Sequence, residues 1–183
     1  HPHADHILGI DDLRCFNFVS GGSIPCYGNA YTLQVIRQAF SYVFNPEPDY
    51  QGGMLPQIDL HEIGEFDEFE VQGAKIQSFP LEHGKIKVLG FRTGDLAYAT
   101  DCKRIPPESM RRLKGVRYLV LDGLRQEEHA THMTIAEAVR FSRETGAERT
   151  FLTHMTHTVD YDETSAGLPP GVELAYDGLE IAF

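Results

Sequence analysis

The segment His1-Pro2-His3-Ala4-Asp5-His6 places four side chains that can bind a metal within six residues. Imidazole nitrogens and carboxylate oxygens suit zinc, manganese or iron. In an extended or tightly turned loop, His1 and His3 point to one side, and Asp5 and His6 reach a second point nearby. The spacing therefore predicts two neighbouring metal ions that share a hydroxide and clamp a substrate oxygen.

Non-enzymatic interpretations of this segment are a purification tag, a surface cluster without metal and a metal-stabilised binding module. Tags are usually homopolymeric, whereas this segment is followed directly by the apolar run Ile-Leu-Gly-Ile at 7–10. Closed structural zinc sites are usually four-coordinate and rich in cysteine, which the segment lacks. The His/Asp composition favours a metal-dependent hydrolase.

Further ligands are expected downstream, because one loop cannot complete two metal sites. His83, Asp101 and His154 each follow a short apolar run typical of a β-strand. Loops at strand ends are where rigid scaffolds usually present functional groups. Taken singly, each of the three could be a hydrogen-bonding or turn-capping residue. His132, in the loop before a predicted helix, is a fourth candidate, for which a plain loop histidine is the alternative.

The remaining pattern predicts an α/β fold. Residues 57–100 contain short strands separated by turns, and Thr32–Val43 and Thr134–Thr145 predict amphipathic helices, the second with a capping box. Val172–Tyr176 and Leu179–Phe183 predict a closing hairpin. Strands come first and strand–helix–strand units follow, so one layered domain over residues 1–183 is expected, with helices packed outside sheets.

Charge and cysteine content restrict the partners and the location. The net charge is −11, and an acidic surface repels polyanions, which argues against a broad nucleic-acid groove. No apolar run reaches the roughly 18 residues of a membrane span. The three cysteines form no CxxC pair, so a reducing, cytoplasmic location is expected.

The order of the motifs resembles the metallo-β-lactamase superfamily over essentially the whole chain: an HxHxDH loop, a single histidine, a single aspartate and a last histidine. Asp5–Arg14, Leu152–His157 and Leu174–Gly178 are similar to the branch of phosphoribosyl 1,2-cyclic phosphate phosphodiesterase and, more distantly, ribonuclease Z. The resemblance implies an αββα sandwich. Family members carry strands before the HxHxDH loop, so this chain is expected to be N-terminally incomplete.

The resemblance also implies a role for each candidate ligand. One metal ion would be held by His1, His3 and His83. The other would be held by Asp5, His6 and His154. Asp101 would bridge both ions, and the catalytic residues would be Asp5, Asp101 and His132. The expected cofactor is therefore a pair of divalent ions, zinc or manganese, with iron as a third option.

Two further histidines acquire roles from the resemblance. His132 lies 22 residues before His154, a spacing similar to that of the substrate-side histidine of this branch. In the cyclic phosphodiesterase, an equivalent of His157 joins N-terminal cysteines around a structural zinc. None of the three cysteines of this chain matches that cluster. A homodimer is also implied, because this branch is often dimeric.

The resulting hypothesis is a phosphodiesterase that acts on a small or cyclic phosphodiester through a metal-bridging hydroxide. His132 would stabilise charge on the phosphoryl oxygens or donate a proton to the leaving group. Hydrolysis of a thioester or lactone on the same scaffold is the alternative. A tRNA 3′-processing nuclease needs a basic surface or arm, against which the net charge of −11 argues. The natural substrate, the metal and the oligomeric state stay open.

Overall fold

The computed structural model describes residues 1–183, which form two compact units, His1–Gly64 and Glu65–Phe183. The expectation of one domain over the whole chain stays a prediction. None of the helices has the length and apolar character needed to cross a membrane.

The first unit is mainly helical. Its elements are α1 (Ala4–Ile7), a 3₁₀ segment (Leu8–Leu13), α2 (Arg14–Ser20), β1 (Ile24–Gly28), α3 (Ala30–Ala39), α4 (Ser41–Phe44) and β2 (Ile58–Glu62). Strands β1 and β2 pair in parallel. The prediction of one helix over Thr32–Val43 is wrong in detail. Phe40 is buried in the core of this unit and leaves the helical conformation (φ −111°, ψ 41°), which separates α3 from α4.

The second unit contains a seven-stranded sheet, in which the strands lie side by side in the order in which they occur along the chain. Its strands are β3 (Glu68–Val71), β4 (Ala74–His83), β5 (Ile86–Thr93), β6 (Leu96–Ala99), β7 (Tyr118–Asp122), β8 (Arg149–Thr153) and β9 (Val172–Leu174). Its helices are α5 (Pro107–Leu113), α6 (Ile135–Thr145) and α7 (Tyr161–Gly167). Neighbours from β3 to β6 are antiparallel, and those from β6 to β9 are parallel. Strand–helix–strand units therefore follow an antiparallel half, as predicted.

Helix α6 forms where its capping residues predict it. The Thr134 hydroxyl accepts a hydrogen bond from the Glu137 N–H, and the Glu137 carboxylate accepts one from the Thr134 N–H. This reciprocal pair satisfies two backbone donors that the first turn of a helix leaves unpaired. Gly146 ends the helix with a left-handed backbone (φ +74°) that costs glycine little. The capping box defines where the short segment that follows His132 enters α6.

The predicted closing hairpin is wrong. Strand β9 pairs in parallel with β8, and no strand forms over residues 179–183. Val172 and Leu174 are buried, whereas residues 179–183 are half-buried or exposed, so a second strand would gain little from apolar burial. The turn itself is present, because the Leu179 N–H donates to the Tyr176 carbonyl and Gly178 has a positive φ.

The sheet of the second unit brings several polar strand ends to one edge. Strands β4, β6, β7 and β8 run in the same direction, because two antiparallel steps separate β4 from β6 and the later pairings are parallel. Their carboxyl ends therefore lie along the same edge. His83 ends β4, Asp101 follows β6, Asp122 ends β7 and His154 follows β8.

Candidate metal centre

Two of the side chains at this edge, with His132 from the loop before α6, form a compact buried cluster. The potential ligand atoms of His83, Asp101 and His132 all lie within 4.8 Å of one another. The side chains are buried, with residue exposures of 3%, 1% and 8%. Burial of this many polar groups is costly unless each has a partner, so such a cluster indicates a functional site.

His154 joins the cluster through Asp101. Its Nε2 lies 3.2 Å from Asp101 Oδ2, and its ring stacks on His132 with centroids 4.7 Å apart. The hydrogen bond with Asp101, opposed by partial burial, raises the pKa of His154 to about 9. The backbone of His154 is left-handed (φ +60°), which is uncommon for residues other than glycine and is found at functional sites. Four of the five predicted residues of this unit, His83, Asp101, His132 and His154, therefore lie together.

The orientation of His83 is fixed by a main-chain carbonyl. Its Nδ1 lies 2.9 Å from the Thr131 carbonyl oxygen. A carbonyl can only accept a hydrogen bond, so His83 Nδ1 must carry the proton and Nε2 keeps its lone pair. Partners of this kind orient metal-binding histidines and determine which nitrogen can coordinate. No sequence pattern at Thr131 predicted that its main-chain carbonyl would orient His83.

Asp122 is a site residue that sequence reasoning missed. It is fully buried. Its Oδ2 accepts hydrogen bonds from the Cys102 N–H at 2.9 Å and from His132 Nδ1 at 2.8 Å, whereas Oδ1 is buried with no hydrogen-bond partner. Burial raises the pKa of this carboxyl, and the two hydrogen bonds oppose that rise. The available sequence pattern was an acid at the end of a buried apolar strand, the same pattern that had identified Asp101.

The first unit gathers the four ligands predicted from the opening segment. His1 Nε2 lies 3.0 Å from His3 Nδ1, and the rings of His1 and His6 are 4.2 Å apart. Asp5 Oδ2 lies 3.6 Å from His6 Nε2. Helix α1 is a single turn that begins after His3, so Asp5 and His6 lie on one turn while the first histidines precede it. The segment therefore presents all four side chains from one short stretch.

The chemistry of both clusters fits divalent metal ions. Imidazole nitrogens and carboxylate oxygens are the preferred ligands of zinc and manganese sites. In the second unit, repulsion between the Asp101 and Asp122 carboxylates contributes to the raised pKa of Asp122. A cation bound nearby would reduce this repulsion. His157 is exposed and belongs to no group of three potential ligands within the chain. Its role in a structural zinc site stays a prediction.

The family of this chain is shown by sequence. Residues 1–155 match the family model described as the beta-lactamase superfamily domain. The chain therefore belongs to the metallo-β-lactamase superfamily, whose members are metal-binding hydrolases.

Its branch follows from a crystal structure described as a new diphosphatase from the PhnP family. That protein is 37% identical, with a TM-score of 0.88 over 100% of this chain and 69% of its own. The chain is thus a PhnP-like member of the superfamily. The short form of human tRNase Z is 19% identical with a TM-score of 0.72, over 100% of this chain and 76% of its own, a likeness of fold alone.

One curated relative is much longer than this chain. The octanoyltransferase of Porphyromonas gingivalis strain ATCC BAA-308 / W83 is 34% identical over 184 residues, which is 98% of this chain but 36% of that protein. The chain thus spans about a third of that relative's length.

Proposed function

We propose that the chain is a phosphodiesterase with a binuclear metal centre and that its substrate is a small or cyclic phosphodiester. The observation that carries the proposal is His132, which is buried beside His83 and Asp101 with its Nδ1 held by the Asp122 carboxylate. An imidazole held in this way suits a phosphoryl oxygen. The similarity to a diphosphatase of the PhnP family supports phosphoryl chemistry.

The proposed ligands come from both units of the chain. One ion would be held by His1, His3 and His83. The second would be held by Asp5, His6 and His154, with Asp101 shared. When bound, two divalent ions polarise phosphoryl oxygens and make water a stronger nucleophile near neutral pH. The ion is proposed to be zinc or manganese, with iron as the third option.

His132 is the residue proposed to act on the substrate directly. Because the Asp122 carboxylate accepts its Nδ1 proton, the ring is fixed and only Nε2 is left to face the substrate. From Nε2 the ring holds a proton against a phosphoryl oxygen or passes it to the leaving oxygen. Asp122 does not touch the substrate in this scheme and acts by positioning His132.

Hydrolysis of a thioester or lactone is the second candidate. The similarity to a protein named octanoyltransferase favours it, because an octanoyl group is an acyl group. That name describes a protein of which the chain matches 36%, so it carries less weight than the diphosphatase. A tRNA 3′-processing nuclease is not favoured by a net charge of −11.

A paired assay tests the proposal. The wild-type chain, loaded with zinc or manganese, is assayed with bis(p-nitrophenyl) phosphate and with an octanoyl thioester under the same conditions. We expect turnover of the phosphodiester. Preference for the thioester would instead establish the second candidate.

The metal requirement is tested by Asp101→Ala, with metal content measured by elemental analysis. We expect loss of both metal and turnover. Asp177→Ala, in an exposed turn, is the matched control and should retain both. Unchanged metal content and turnover in Asp101→Ala would contradict the binuclear proposal.

A further inference from the structure

A second histidine lies beside His132 and has no role in the proposed mechanism. His129 is half-buried, and its ring centroid is 5.2 Å from that of His132. Both lie in the loop Arg125–His132, which we call the 125–132 loop. The His132 ring also contacts the rings of His83 and His154, with centroids 4.6 Å and 4.7 Å away, so His129 adds one imidazole to the same group of adjacent rings.

The protonation of His129 follows from its backbone partner. The Thr131 N–H lies 3.3 Å from His129 Nδ1 and donates to it. A backbone N–H can only donate, so Nδ1 must be the unprotonated nitrogen of the ring. Partial burial and, after it, the nearby cationic groups lower the pKa of His129, which favours the neutral ring. The proton of the neutral ring therefore resides on Nε2, which makes that atom a hydrogen-bond donor.

The 125–132 loop is anchored at several points, so His129 is held in place. The Leu124 N–H donates to the Met133 carbonyl across the base of the loop. Arg125 Nη2 donates to the Glu128 carbonyl at 3.2 Å, and Lys103 Nζ lies 3.2 Å from the Glu128 carboxylate. When a hydrogen-bond donor lies on a fixed loop, little conformational entropy is lost on ligand binding.

We infer that His129 is a second substrate-binding residue, whose Nε2–H donates a hydrogen bond to a phosphoryl oxygen next to the one that faces His132. The inference deepens the proposed function and rests on it. The site would accordingly bind substrates that carry at least two anionic phosphoryl oxygens. These oxygens could belong to one phosphoryl group or to two linked groups. Neighbouring imidazoles match adjacent oxygens of such a group, whereas an ester or thioester carbonyl offers a single oxygen.

Two amide substitutions separate substrate binding from a purely structural role. A glutamine side chain can place an amide N–H near the position of Nε2, whereas an asparagine amide lies near the position of Nδ1. We expect His129→Gln to keep KM within about twofold of wild type. His129→Asn and His129→Ala should raise KM roughly five- to tenfold, the value of one lost hydrogen bond, with kcat nearly unchanged. His61→Ala, on β2 of the other unit, is the control histidine.

The opposite pattern would overturn the inference. If His129→Asn restored KM and His129→Gln did not, the ring would serve only to accept the Thr131 N–H. A KM unaffected by all three substitutions would remove His129 from the substrate site. Absence of phosphodiester turnover in the wild-type protein would instead contradict the proposed function.

A binding experiment tests His129 without turnover. Histidine imidazole ¹⁵N resonances of the metal-loaded protein are followed by NMR while inorganic phosphate is added. We expect the free protein to show His129 protonated at Nε2, and that resonance to shift on addition of phosphate while the His61 resonance stays. A shift of His132 without any change at His129 would overturn the inference.

Discussion

The two groups of proposed ligands differ in how the chain assembles them. In the first unit, His1, His3, Asp5 and His6 come from six consecutive residues and one helical turn. In the second unit, the corresponding groups come from the ends of separate strands and are mostly buried. The first arrangement depends on local spacing, and the second on the register and direction of a whole sheet. Substitutions in the second unit should therefore affect stability as well as chemistry.

Loss of one ligand in each unit gives the largest expected effect. His3→Ala and His83→Ala should each lower turnover by more than about 100-fold, since even outer partners of a metal site cost 10–100-fold. With a chelator present, so that no metal contributes to stability, only His83→Ala should also lower the melting temperature, because His83 is 3% exposed and its loss leaves the Thr131 carbonyl without this donor. The measurements are turnover and thermal unfolding, and equal melting temperatures would contradict the contrast.

Metal binding should stabilise the protein through both groups. A metal present at about 100 times its dissociation constant adds about 2.7 kcal/mol to the free energy of unfolding. We expect zinc or manganese to raise the melting temperature, with the shift reduced in both His3→Ala and His83→Ala. Thermal unfolding with and without a chelator measures this. A full shift in His3→Ala would show that the second unit binds metal by itself.

Asp122→Asn tests the second unit without removing a proposed metal ligand. The substitution changes only the side chain that accepts the hydrogen bond from His132 Nδ1. We expect kcat to fall about 10- to 100-fold, part of the 10²–10⁴-fold that a well-positioned general acid contributes. Metal content should stay at the wild-type value, since Asp122 contacts Cys102 and His132 rather than a proposed ligand. Elemental analysis and steady-state kinetics measure the two quantities. A loss of metal would mean that Asp122 belongs to the coordination itself.

The smallest expected effect concerns the cap of α6. Partial burial raises the pKa of Glu137, but hydrogen bonds from the Thr134 N–H and Lys103 outweigh it, so the pKa lies below its usual value. A lowered folded-state pKa gives stability that is present above the unfolded pKa and is lost as the pH falls through the folded value. Glu137→Gln keeps an oxygen that can accept the Thr134 N–H but loses the ion pair with Lys103, so it should cost up to about 1 kcal/mol at pH 7. Urea unfolding should show this deficit shrink under acidic conditions, and a constant deficit would contradict it.

Sequence reasoning worked where the deciding interaction is local. The spacing of the opening segment predicted four potential ligands, whose side chains lie close together in the first unit, and Thr134 with Glu137 predicted the start of α6. Strand ends also predicted His83, Asp101 and His154 as neighbours, because β4, β6, β7 and β8 run in the same direction and their carboxyl ends lie at one edge.

Interactions between distant parts of the chain were missed. The partner of β9 is β8, which lies outside any local pattern, so a hairpin was predicted instead. Asp122 acquires its role from a contact with His132 in a loop, and Thr131 acts through its main chain. Phe40 leaves the helical conformation within a helical sequence pattern and is buried in the core of the first unit. Each of these outcomes depends on tertiary packing rather than on the neighbouring residues.

The carbonyl that holds His83 has a consequence for how this loop can vary. A main-chain oxygen cannot be deleted by exchanging the side chain at its own position, so the tautomer of His83 depends on the path of the backbone and not on the identity of residue 131. The Thr131 side chain meets a separate constraint at Gly84, whose φ is +63° and where an added Cβ would lie 2.6 Å from Thr131 Cγ2. A smaller side chain at position 131 would thus leave the carbonyl that holds His83 in place, while relieving only the contact that a side chain at Gly84 would make and not the strain of its positive φ.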